Sequence, residues 1–149
     1  AEGNKNTKPK VLDYLNEHHY TIAPVTIDSK DFAFNEQLYH VPYRSREAYV
    51  KKMKARYLAF IWKQTLRAER LAKDPNAKQI LLVHANLLNS YLLGDVIQMY
   101  KDNGYKFITL TAALENPAPG ISYPGPDKNA VPKEGGLIPS TLEKQLQPQ

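Results

Sequence analysis

Residues Gln79–Leu114, QILLVHANLLNSYLLGDVIQMYKDNGYKFITLTAAL, decide the reading of this chain. Gln79–His84 is an apolar, β-branched run of strand length that ends on a histidine. A helix is expected from about Ser90 to Asn103, because Leu93, Val96, Ile97 and Tyr100 recur at i, i+3, i+4 and i+7. Gly104 stands where a helix closes through a left-handed residue. Lys106–Thr111, KFITLT, reads as a second strand, and Ala112–Leu114 as a short helical turn. His84 therefore falls at the carboxyl end of a strand, where α/β folds place binding and catalytic groups.

Upstream, the same periodicities give more elements. Thr7 is a plausible cap for a helix that carries Val11, Leu12 and Leu15 and ends near His18 or His19. Thr21–Ile27, TIAPVTI, has strand composition, with Pro24 restricting it to an edge, an end or a bulge. Asp28–Asp31 is a turn or helix start. Ser45 caps a long helix to about Lys73, with Tyr49, Val50, Met53, Tyr57, Phe60 and Ile61 at helical spacing. The order is α-β-α-α-β-α-β. Right-handed crossovers then imply at least three parallel strands with helices outside. So small a parallel sheet needs cover and neighbours, so the expected fold is part of an α/β barrel.

After Asn116 the composition changes. Seven of the eleven prolines and four of the seven glycines lie in the last 33 residues. Residues 1–116 are thus expected to form the partial barrel domain, and 117–149 an extended Pro/Gly-rich tail. The 149 residues suffice for one core. No apolar run reaches the length of a membrane span. Cysteine is absent, which excludes disulfides, thiol catalysis and Cys-ligated metals. The net charge of +5 comes largely from Lys51, Lys52, Lys54, Arg56, Lys63, Arg67 and Arg70 on the long helix. Such a run is most simply a solvated face; its sharper reading is attraction to an anionic polymer, nucleic acid or acidic glycan. No zinc-finger, helix-turn-helix or RNA-binding signature accompanies it, so no nucleic-acid partner is expected.

Four histidines are present. His18 and His19 suit a solvated helix end, and His40 precedes Val41-Pro42 in a turn. No His-x-x-x-His pair places two imidazoles on one helix face, and no complete metal site is expected within the chain. His84 differs, because parallel pairing would bring Asp28 and Asp31 to the same end of the sheet. Either carboxylate could fix the tautomer of its imidazole, as a general acid requires. A histidine satisfied by loop backbone is the equally simple alternative.

Tyr20–Phe32 (YTIAPVTIDSKDF), the long helix and Ile80–Pro117, in this order, resemble the C-terminal half of bacterial polysaccharide deacetylases, carbohydrate esterases with a distorted (β/α) barrel. The resemblance spans roughly Lys10 to Pro117. Its most specific part is LLVHAN, similar to the family's fifth motif. It implies that His84 is a general acid, protonating the departing amine or alcohol. Asp31-Phe32 would match the fourth motif, with Asp31 orienting His84 and Phe32 where Trp is commoner. Asp28 would lie at the edge of the same pocket, and Leu82 in the apolar wall that receives the acetyl methyl. The family's Thr-Phe-Asp-Asp, His-x-x-x-His and Arg-Pro-Pro-Tyr motifs, which supply base, metal ligands and oxyanion donor, do not occur here.

The resemblance therefore implies an incomplete active site. The expected reaction is metal-dependent hydrolysis of N- or O-acetyl groups on a cell-envelope glycan, with a zinc-like divalent metal and the base supplied by a missing N-terminal half. Expected partners are that complementary half, or a second copy, and the glycan substrate. The expected location is periplasmic or secreted, although lack of Cys suits the cytoplasm equally. The alternative is a non-catalytic glycan-binding or protein-interaction module with the same ancestry.

Overall fold

A computed structural model describes residues 7–120. In chain order it contains α1 (Thr7–Glu17), β1 (Ile27–Asp28), α2 (Asp31–Tyr39), a 3-10 turn at Tyr43–Ser45, α3 (Arg46–Ala72), β2 (Leu81–Leu82), α4 (Leu87–Asp102) and α5 (Leu110–Leu114). Helix accounts for 62% of the described residues and strand for 5%, so the fold is not the expected (β/α) barrel. β1 and β2 pair in parallel, Ile27 with Leu81 and Asp28 with Leu82. A barrel closes only when many tilted strands are each paired on both sides, and two strands of two residues cannot do that.

The three expected strands fare differently, for identifiable reasons. Only the end of Thr21–Ile27 enters the sheet, because Pro24 has no N–H and interrupts any ladder before it. Thr26 prolongs the pairing by its side chain: its Oγ1 accepts from the Ile80 N–H at 2.8 Å, and its own N–H donates to the Ile80 carbonyl at 3.0 Å. Gln79–His84 shortens to Leu81–Leu82. Lys106–Thr111 forms no strand at all, and α5 begins inside it. Tyr105 and Phe107 are instead drawn into an aromatic cluster with Trp62 and Tyr100, with ring centroids 5.2 to 6.4 Å apart. A cleft of about 360 Å³ separates this segment from β2, lined by Leu81, Val83, Val96, Ile97 and Phe107 among others.

α3 supplies more of the core than any other element. Its Val50, Met53, Tyr57, Ile61 and Ala68 are buried against Ile27, against Phe34 and Leu38 of α2, and against Leu88, Leu92 and Val96 of α4. Phe34 meets Tyr57 and Phe60 with centroids 5.0 and 5.6 Å apart. Ser45 precedes α3 but makes no side-chain capping bond. α4 starts three residues before the expected Ser90, because Asn86 caps it by accepting from the Asn89 N–H at 2.9 Å. It ends as its composition foretells. Gly104 has φ +81°, its N–H donates to the Lys101 carbonyl, and Tyr105 N–H donates to that of Tyr100, the paired bonds of a Schellman closure. α1 closes in the same way with His19 at φ 58°.

Beyond α5 the chain turns back along the start of β2, where Lys78 bridges Pro117 in parallel and Ala118 is buried. The rest of the expected tail, 121–149, lies outside the described residues. No helix among the described residues is long and apolar enough to cross a membrane.

Candidate functional site

Asp28-Ser29-Lys30-Asp31 turns the chain from β1 into α2. Asp28 Oδ1 accepts from the Lys30 N–H at 2.9 Å, an Asx turn that holds Lys30 in the left-handed region at φ 51°. Asp28 Oδ2 also pairs with Lys30 Nζ at 2.9 Å. Ser29 Oγ accepts from the Asp31 N–H at 3.3 Å. This turn delivers Asp31 as the first residue of α2, with its side chain completely buried.

Four donors converge on the Asp31 carboxylate. His84 N–H donates to Oδ2 at 2.6 Å, Asn89 Nδ2 to Oδ2 at 2.6 Å, and Asn86 Nδ2 to Oδ2 at 3.1 Å. His84 Nδ1 lies 2.7 Å from Oδ1. A carboxylate accepts all four, so Nδ1 carries the proton in this contact and Nε2 is the nitrogen left for other chemistry. Half of the His84 side chain is exposed, 51% against 0% for Asp31. The amino ends of α2 and α4 both meet here, since Asn86 is the cap of α4 and Asp31 opens α2. Two helix dipoles thus favour the same negative charge, which offsets its burial.

A second layer fixes the donors. Asn89 Nδ2 also donates to the His84 carbonyl at 2.8 Å, and the Tyr57 hydroxyl donates to Asn89 Oδ1 at 3.1 Å. Asn35 Oδ1 accepts from the Leu88 N–H at 2.9 Å, tying α2 to the first turn of α4. Burial, then the nearby charge of Asp31, pushes the Tyr57 hydroxyl well above the usual tyrosine range, against the pull of a hydrogen bond with Ser29. Tyr57 is therefore a fixed neutral donor at ordinary pH.

Of the residues singled out in the sequence, His84 and Asp31 are brought into direct contact. Phe32 stands edge-on to His84, with centroids 6.4 Å apart, and is half exposed. Asp28 is paired with Lys30, whose Nζ lies 5.6 Å from the centroid of the Phe32 ring. Leu82 is half-buried in β2 and does not line the apolar cleft, which takes the alternate residues Leu81 and Val83. Asn86, Asn89, Tyr57 and Ser29 are the site residues missed by sequence reasoning. Asn86 had a signal, an Asn directly before an apolar helical run. Asn89 and Tyr57 had none beyond being polar groups within apolar stretches.

In comparisons with known proteins, no family model, no curated protein and no solved structure matches this chain. Among the described residues, no group of three or more His, Cys, Asp or Glu could hold a metal ion. The zinc-like metal implied by the resemblance therefore does not fit the described residues. What they offer is a hydrogen-bonded Asp31–His84 pair.

Proposed function

We propose that this chain supplies the general-acid half of a deacetylase-type hydrolytic site acting on an acetylated cell-envelope glycan, in a periplasmic or secreted setting. The observation that carries this reading is the Asp31–His84 pair, a fully buried carboxylate gripping Nδ1 of a half-exposed imidazole. Such a pair fixes the ring's tautomer and aims Nε2 at the open side. In the protonated ring, Nε2–H is the proton that a departing amine or alcohol would take. Asn86 and Asn89 hold the carboxylate in register, and Phe32 borders the approach to Nε2. Metal and base come from outside residues 7–120, from a complementary N-terminal half or a second copy of the chain. The open apolar cleft beside β2 is consistent with a missing neighbour.

The test is acetate release from N-acetylated glucosamine oligomers by the longest polypeptide the gene encodes, with Zn²⁺ or Co²⁺ added. His84→Ala is expected to lower kcat by about 10²–10⁴-fold, the usual worth of a general acid. Turnover unchanged in that variant, or no acetate release from glycans of either linkage, would sink the reading. A second reading, non-catalytic glycan binding, is favoured by one feature. Phe32 and Tyr39, seven residues apart on one side of α2, and Tyr43 just beyond are all exposed, offering rings on which sugars stack. Oligomer binding that survives His84→Ala without any acetate release would select it.

A further inference from the structure

α3 presents a second surface that the Asp31–His84 site does not use. At 100° per residue, Lys52, Arg56, Lys63, Arg67 and Arg70 fall within about 60° of arc, a row roughly 27 Å long that adjoins α2 at Arg56 and is broken between Arg56 and Lys63, where Tyr57 to Trp62 are all buried. Neither carboxylate of α3, Glu47 or Glu69, falls in that arc, and Glu69 instead accepts from the Tyr105 hydroxyl. Two other lysines of the helix are set apart from the row. Lys54 is paired with Asp95 of α4, and Lys51 lies off the arc. Lys52, Lys63, Arg67 and Arg70 are exposed. Arg56 is fixed in place: its Nη2 donates to Gln37 Oε1 at 2.6 Å, and its guanidinium lies 5.5 Å from the centroid of Phe34.

Like charges at i, i+4 repel on a helix, and this row contains two such pairs, Lys52–Arg56 and Lys63–Arg67. A merely solvated face would tolerate Glu at alternate turns. A straight cationic row with one pre-positioned fork suits a linear polyanion lying along it. The row carries no exposed aromatic between Lys52 and Arg70 on which bases could stack, and the opposite side of α3 is embedded in the core, so the helix cannot enter a duplex groove. We propose that this row of α3 binds a linear acidic polysaccharide along its length, independently of the chemistry at His84.

The test is fluorescence anisotropy with a labelled polyuronate oligomer, at 25 to 300 mM salt, on the full chain. Binding is expected to weaken with salt, with a log–log slope of about −3 to −5 for contacts of this number. Lys63→Glu/Arg67→Glu should weaken binding by more than tenfold. Lys78→Glu/Lys101→Glu, of equal net-charge change away from the row, should change it by less than threefold. Circular dichroism establishes that both variants keep the helical content of the parent. Equal losses in the two double variants would reduce the effect to net charge and overturn the proposal. So would absence of binding at 25 mM salt, or tighter binding to a single-stranded oligonucleotide of matched charge.

Discussion

Asp31 shows how much one buried carboxylate can organise. Its four donors come from three residues of the β2–α4 connection and first turn, so the charge joins α2 to α4 as well as gripping His84. Asp31→Asn keeps the shape but points an amide donor at amide and imidazole donors. The expected cost is about 2–3 kcal/mol, the worth of hydrogen bonds to a charged group, read as a lower urea midpoint with unchanged slope. If stability is unchanged, the network does not carry the energy assigned to it. The pairing of Asp31 with His84 was legible in the sequence as one of two candidate carboxylates. The resemblance pointed to Asp31 rather than Asp28, and the turn gives the physical reason: it spends Asp28 on the Lys30 N–H and Nζ and leaves Asp31 facing the imidazole.

Gly94 within α4 and Gly104 just past its end separate local conformational preference from packing. Gly104 has φ +81°, and nothing lies within 4 Å of where a Cβ would stand. Gly104→Ala therefore suffers only from its backbone, and should lose about 1–2 kcal/mol. Gly94 sits in mid-helix, exposed, with the same open space around it. There Ala should gain roughly 0.5–1 kcal/mol by relieving the unfolded-state entropy of glycine. Thermal melts of the two variants should thus move in opposite directions, and a shared direction would refute the argument. Helices of this chain were readable because periodicity, caps and closing residues all act within a few positions of each other. The strands were not. KFITLT has strand composition, yet Tyr105 and Phe107 find Tyr100 and Trp62, and no neighbouring strand claims the backbone.

Alkaline pH probes the packing as one unit, since three tyrosines are held neutral by burial. Tyr100 is pushed from 10.0 up to about 12, mainly by burial and with a contribution from the charge of Glu69. Tyr57 and Tyr105 are raised in the same direction. Tyr100 donates to Thr65 Oγ1 across 2.7 Å, because the Thr65 proton already goes to the Ile61 carbonyl. The unfolded chain ionises these hydroxyls first, so the stability they lend is complete below pH 10 and is lost as pH climbs towards 12. Urea midpoints measured from pH 8 to 12 should fall across that window, and Tyr100→Phe should shallow the fall. A flat profile would show that the tyrosines are not buried as described.

What the amino-acid sequence determined by itself is the set of local instructions: which stretches are helical, where Gly104 stops α4, and that His84 follows a strand near an acidic turn. Those depend on neighbours a few residues away. The sheet, the contact between Asp31 and His84 and the Asn89–Tyr57 support were decided only by tertiary structure. Each requires groups more than thirty residues apart to meet, and whether a strand exists depends on a partner strand being there to bond it. With two short strands instead of a closed ring, the described residues form a helical assembly around α3, holding the buried Asp31 carboxylate where two helices begin.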